Sequence, residues 1–225
     1  MLFDLRGRGR RRTVQVIYLS LALLMGGGLV FFGIGGATSG GLLDAFKEDA
    51  QRQGSDVYIK RAERAEAAAR ATPNKPSLWA EAARARYLVA GQGENFDQTR
   101  GVFTDKGKAE LARVERDWDL YLTKVKKPDP NVASLMIQAF GPAGLNKLDK
   151  AVRALEIVVE RKPTPQLYVQ LAALAYQAGQ TRKGDLAGKK ALSLAPKDDR
   201  EQLKGQLEGA KQASTQAQLQ TSTTP

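Results

Sequence analysis

The chain has 225 residues, 35 of them basic and 24 acidic, for a formal charge of +11, and it contains neither cysteine nor histidine. That composition excludes disulfides, cysteine–histidine zinc sites, thiol nucleophiles and histidine-based triads, so stability has to come from packing and most familiar catalytic plans are closed. The charge is also divided: Asp4 against five arginines puts +4 on the first twelve residues, and the other +7 comes from 30 basic and 23 acidic residues mixed along the remainder.

Residues 1–12 form a basic head, with Arg6, Arg8, Arg10, Arg11 and Arg12. They lead into Thr13 to Gly36, twenty-four residues without a charge. A helix of about 20 apolar residues crosses a hydrocarbon core of about 30 Å, so this stretch predicts a transmembrane helix. A cleaved signal peptide shares the basic start, apolar run and small residues, but its apolar region spans about 7 to 15 residues, and the longer run here favours an uncleaved anchor. Past the span, Gly41 to Arg52 holds only Lys47 and Arg52 against Asp44, Glu48 and Asp49. The positive-inside rule therefore places the amino end in the cytoplasm and everything after Gly41 outside it. Within the span the glycines offer no complete GxxxG pair; Ala22 to Gly26 is the nearest match.

Residues 37–54 read as a linker with a short helix from Leu42 to Gln53, broken by Gly54, and a helical repeat domain is expected over 55–212. Ser55 offers an N-cap for a helix over Val57 to Ala71. In that helix Ile59, Ala62, Ala65, Ala68 and Ala69 share a face, with Arg61, Glu63, Arg64 and Glu66 opposite. After Thr72 to Pro76 the chain begins to repeat. LWAEAARARYLVAGQ, from Leu78, lines up with LYVQLAALAYQAGQ, from Leu167, so that Trp79 matches Tyr168, Ala83 matches Ala172, and Tyr87 is echoed by Tyr176. Farther on, Ala151, Leu155, Val158 and Pro163 recur at Gly184, Gly188, Ala191 and Pro196, a constant offset of 33.

An aromatic near the start of a first helix, small residues one turn on, glycine at the turn, a small or apolar series in the second helix and a closing proline resemble the tetratricopeptide repeat. In the last unit Tyr168, Leu171, Ala172, Gly179, Gly184, Ala191 and Pro196 occupy the signature places, while Gly188 stands where a larger residue is usual. The preceding unit matches from Leu148 to Pro163, but Gly141 and Pro142 end its first helix, Val132 to Phe140, early. The earliest unit is split between Gly91 and a helix capped by Thr104 by the loop GENFDQTRGVFTDKG. Such a loop is either a tolerated insertion or a contact special to this protein, and removing Asn95 to Val102 is expected to cost little stability. Asp199 to Gln212, with Leu203 and Leu207 on one face, reads as a capping helix, and residues 213–225 as a disordered tail. The resemblance thus implies an all-α fold: an N-terminal transmembrane helix, then a tetratricopeptide-like α-solenoid of about three helix pairs with a capping helix.

No acid/base pair or nucleotide loop emerges. Gly101 to Lys108 has the wrong spacing for a phosphate loop, and Gly184 is followed by Asp185 rather than lysine. Neither a cofactor nor a metal is expected, and the mixed charge argues for a solvated surface rather than a nucleic-acid site. What remains is recognition by a non-enzymatic protein. Tetratricopeptide arrays generally bind peptides or proteins along the groove formed by their first helices. By position, that resemblance assigns the groove to Ser77, Arg84 and Tyr87 in the first unit and to Gln166, Val169, Ala173 and Tyr176 in the last. Tyr87 and Tyr176 are the candidate anchors, although an aromatic at helical spacing also serves as core. The layout is similar to membrane-anchored tetratricopeptide factors of bacterial envelopes that accompany the Sec translocon and chaperones. That implies an adaptor or scaffold bound to protein partners on the extracytoplasmic face and to the bilayer through its first helix. The alternative is a structural module that docks anionic wall polymer or lipid headgroups on its mixed +7 surface.

Overall fold

The computed structural model describes the backbone of residues 42–222 and the side chains of residues 56–216. The expected membrane span, 13–36, and its basic head lie outside the described residues, among which no helix is long and apolar enough to cross a membrane. Apart from one small hairpin the described chain is all-helical. Its eight α-helices are α1 (Leu42–Ala71), α2 (Pro76–Ala90), α3 (Asp105–Lys124), α4 (Pro130–Phe140), α5 (Leu148–Arg161), α6 (Pro165–Gln177), α7 (Thr181–Leu194) and α8 (Arg200–Ser222).

Local chemistry accounts for the starts and stops. Pro76, Pro130 and Pro165 each open a helix, where their missing N–H would have had no partner. The side chains of Thr104, Asp129 and Thr164 accept from the backbone N–H of Gly107, Asn131 and Leu167 and so cap α3, α4 and α6. Gly179, at φ 73°, turns α6 directly into α7. Two expectations give way. Gly54 does not interrupt α1, which runs unbroken from Leu42 to Ala71; one internal glycine costs only about 1 kcal/mol against alanine, and Gln51, Arg52 and Gln53 before it are good helix formers. Likewise the tail is helical through Ser222, since its alanine, glutamine and leucine all favour helix; Ser214 is buried within it.

Packing joins the helices in sequential pairs, α2 with α3, α4 with α5, and α6 with α7, and α8 lies against both members of the last pair. One continuous core runs through them, from Trp79 and Trp118 through Met136 and Phe140 to Leu171, Leu203 and Leu207. The positions related by 33 residues behave alike: Ala151, Leu155 and Val158 are buried, and so are Gly184, Gly188 and Ala191. Small residues are required where helices approach. A Cβ on Gly184 would sit 2.4 Å from the ring of Tyr176, and a Cβ on Gly188 would press at 3.2 Å on Leu207 of α8. The large residue missing from position 188 is therefore replaced from outside the pair by a leucine of the last helix.

The loop between α2 and α3 is a closed hairpin. Its strands, β1 (Phe96–Asp97) and β2 (Val102–Phe103), are antiparallel with Phe96 opposite Phe103. The two rings meet edge to face at 5.0 Å. Asp97 Oδ1 accepts from the backbone N–H of Thr99 and Arg100, and Gly101, at φ 66°, completes the turn. Phe103 is buried, and its N–H donates to the carbonyl of Ala143 in the α4–α5 connection at 3.0 Å. Asn95 Nδ2 donates to Val89 O at 2.9 Å, and Gly107 packs so closely on the Asn95 carbonyl that no side chain fits there. The loop thus bridges the first helix pair to the second, against the expectation that its removal is cheap. Phe103→Ala is predicted to lower unfolding stability by about 3–5 kcal/mol, and deletion of Asn95 to Val102 to lower it further; urea melts of the variants check both, and an unchanged midpoint would contradict the packing role.

Candidate functional site

Ser77 and Arg84, two of the residues assigned by repeat position, stand on one side of an open groove. It has a volume of about 450 Å³, with Pro76, Ala80 and Glu81 on the α2 side and Tyr121, Val125, Asp129 and Val132 from the end of α3 and the start of α4. Its far wall is set by a side chain: the Tyr121 hydroxyl accepts from the backbone N–H of Asp129 at 2.8 Å and holds the α3–α4 connection in place. Trp118 supports Tyr121 from below, ring centroids 5.4 Å apart. Glu81 is engaged with Arg61 of α1 at 3.2 Å, and Asp129 is occupied as the cap of α4. Arg84 is exposed and has no ion-pair or hydrogen-bond partner among the described residues, so the groove offers one free guanidinium beside a small apolar floor.

Tyr87 lies beyond this groove. Half-buried, it donates its hydroxyl to Gln138 Oε1 of α4 at 2.7 Å and sets its ring 6.2 Å from Phe103; burial raises its pKa above the usual tyrosine value. It joins α2, α4 and the hairpin.

In the last unit the assignment to a free groove does not hold. Val169 and Tyr176 are buried, and Gln166 is exposed while Ala173 is half-buried. The reason is α8, which packs on α6. Tyr176 lies over Gly184, donates its hydroxyl to Asp185 at 2.8 Å, and has Lys211 of α8 at 5.7 Å from its ring centre. Burial together with the Asp185 carboxylate pushes its pKa up to about 12. Asp185 is held below its usual range by Lys211, 2.7 Å away, and by the same tyrosine. The two repeated tyrosines therefore have separate duties: Tyr176 seals the α6–α7–α8 junction, and its replacement by alanine would open a core cavity rather than remove a surface contact.

A second cluster has no counterpart in the sequence reading. Glu66, placed by periodicity on the polar face of α1, is buried, and so are Arg86 of α2 and Asp117 of α3. Arg86 bonds Glu66 Oε1 through Nη2 at 2.6 Å and Glu110 Oε2 through Nη1 at 3.1 Å. Arg70 closes on Glu66 from the same helix at 2.9 Å. Asp117 Oδ1 accepts from Nε and Nη2 of Arg116, both at 3.1 Å, while Oδ2 is buried without a partner among the described residues. Burial pushes the Asp117 carboxyl up; Arg116 and Arg86 oppose the shift, and Glu66 adds to it. Farther along α3, burial works against ionised Glu115, but hydrogen bonds from Lys147 and Lys150 outweigh it and lower its pKa.

No protein-family model matches the chain, and no curated protein or solved structure is significantly similar to it.

The raised Asp117 pKa has a definite sign. The folded state binds this proton more tightly than the unfolded state, so the contribution is fully present below the unfolded value and is lost as pH rises through the folded one. Asp117→Asn is predicted to remove that slope, so that the variant gains stability relative to the parent as pH rises from the ordinary aspartate value of about 4 toward neutrality. Urea melts across that range test it; parallel curves for the two proteins would show that Asp117 does not titrate abnormally.

Proposed function

We propose that this chain is a membrane-anchored adaptor of the tetratricopeptide type. Residues 13–36 cross the bilayer, the amino end faces the cytoplasm, and the helical array from residue 55 onward is a solenoid that holds a protein or peptide partner on the extracytoplasmic side. The observation that carries this reading is the groove at Ser77 and Arg84, where two residues assigned by repeat position meet the walls of the next helices and Arg84 keeps an uncommitted charge. The repeated wiring supports it too. Lys150 bonds Asp119 and Gln180 bonds Asp149, each reaching back 31 residues from one pair to the pair before. Such nearest-neighbour contacts are how a solenoid is stabilised.

The role is non-enzymatic, with no cofactor. The groove takes an extended or helical segment that presents a carboxylate to Arg84 and small apolar side chains to Ala80, Val125 and Val132. Its place is in secretion or envelope assembly, where a tethered scaffold keeps a client near the membrane.

Docking onto anionic wall polymer or lipid headgroups is the competing reading. Part of the basic surface is taken up in ion pairs, Lys147 and Lys150 with Glu115, Lys106 with Glu94, Lys183 with Glu156 and Lys211 with Asp185, which reduces the charge left for a polyanion.

Crosslinking in intact membranes, followed by affinity capture and mass spectrometry, separates the two. With the parent chain, translocon, chaperone or secreted proteins are expected; Arg84→Glu is predicted to reduce their recovery by about tenfold with helicity unchanged. Tyr176→Phe, which keeps the core ring, is expected to leave recovery intact. Capture of wall or lipid material alone, lost at high salt, would overturn the adaptor reading.

A further inference from the structure

A second open surface lies at the other end of the array, on the outer side of α7, and it stands independently of the Ser77–Arg84 groove. This cavity, of about 790 Å³, is walled by Tyr168 and Leu171 of α6, by the Gly179–Thr181 turn and by Leu186 and Ala187 of α7, with Glu156 of α5 at its edge. Its size is in the range of sites that hold a bulky apolar group. Leu186 is 58% exposed at the lip, one of three large hydrophobic residues left exposed among the described residues.

The charges around the lip indicate what fits. Glu156 is neutralised by Lys183 at 2.7 Å, and Gln180 is bonded to Asp149 at 2.6 Å. Arg182, one turn before Leu186, and Lys190, one turn after it, are exposed, and their side-chain cations have no partner among the described residues. Residues four apart on a helix lie within about 40° of one another around the axis, so Arg182, Leu186 and Lys190 form one column: cation, leucine, cation. That column is symmetric in charge about its apolar centre. A partner helix with the opposite column, carboxylate, bulky apolar residue, carboxylate at the same four-residue steps, matches it in either direction and drops its apolar residue into the cavity beside Leu186.

We propose that the outer face of α7 is a docking site for an acidic amphipathic helix of a partner protein, with Leu186 and the cavity as the apolar anchor and Arg182 and Lys190 as the charge readers. Burial of the anchor supplies affinity, and the two cations set specificity and association rate. The two surfaces lie on different helix pairs, so the array can hold two segments at once.

The test uses the full-length chain in neutral-lipid nanodiscs and a fluorescein-labelled synthetic helix carrying a Glu-x-x-x-Leu-x-x-x-Glu column, followed by anisotropy. Saturable binding is expected, weakened about tenfold or more by Leu186→Glu and equally by the pair Arg182→Glu, Lys190→Glu. All three positions are exposed, so far-UV circular dichroism is expected to be unchanged. The charge-reversed pair should instead bind a helix carrying Lys in place of Glu, a swap that no loss of folding can mimic. Failure of the acidic helix to bind, or equal binding of the acidic and basic helices by the parent chain, would overturn the proposal. So would displacement of the helix by an anionic lysolipid at similar concentration, which would assign the cavity to lipid, or dimerisation of the chain that Leu186→Glu abolishes, which would assign it to a second copy.

Discussion

Arg86 is where three helices are tied together. It sits on α2 among alanines and is 2% exposed, and it reaches Glu66 on α1 and Glu110 on α3 at once. Beyond these bonds α1 is held by the exposed Arg61–Glu81 pair, by Ala69 in the main core and by a minor apolar cluster of Ala62, Ala85 and Val89, with Tyr58, Ile59 and Ala65 at its edge. Methyl groups of alanine bury little area, and at roughly 25 cal/mol per Å² they fasten a helix weakly. The buried ion pair is the stronger lock, in the sense that breaking it is costly: stripping one partner strands a charge and costs about 3–5 kcal/mol. It also fixes register, because a guanidinium that must meet two carboxylates on two helices allows no slide between them. Asp117 lies at the rim of the same cluster, and its unpartnered Oδ2 shows that the carboxylates there are not all satisfied as anions.

At the carboxyl end the solution is different, and it uses absence of side chain. Gly184 admits the Tyr176 ring, and Gly188 leaves a notch that Leu207 fills. The α6–α7 pair is therefore incomplete by itself and needs α8 to close it, as a solenoid needs a terminal element to cover its last apolar face. Tyr176 is thereby out of reach of a partner, Val169 is buried as well, and Leu186 of the same helix pair remains exposed.

The helices and their pairing are legible in the sequence because a repeat is written more than once: positions 33 apart carry similar residues and are buried together. Prolines and threonines at helix starts are equally plain, since capping is a local matter of one side chain and one N–H. What escapes is whatever depends on a distant partner. Periodicity assigns Glu66 outward because it is charged, and only Arg86, twenty residues later and embedded in an apolar run, hints that a charge is needed inside. The hairpin escapes for the same reason, as its strands are two residues long and too short to show alternation; Phe96 and Phe103 on either side of Gly101 were the available signal. Tyr176 and Tyr87 look equivalent in the repeat, yet the helix that buries one of them lies outside the repeat pattern.

Recognition in such an array follows from which charges its own folding has already used. Folding engages Arg61, Arg70, Arg86 and Arg116 with the carboxylates of α1, α2 and α3, and Lys147, Lys150, Lys183 and Lys211 with those of neighbouring helices. A cation so engaged presents almost no field to a ligand, because its carboxylate screens it at contact distance. Arg84, Arg182 and Lys190 belong to the larger set of cations without a carboxylate partner among the described residues, and these three stand beside exposed or half-open apolar surface. A free charge next to apolar area discriminates far better than either alone. The charge rejects partners of the wrong sign, while the apolar contact supplies affinity that salt does not screen. The formal +11 therefore says less about binding than the positions of those unpaired cations that stand beside apolar surface.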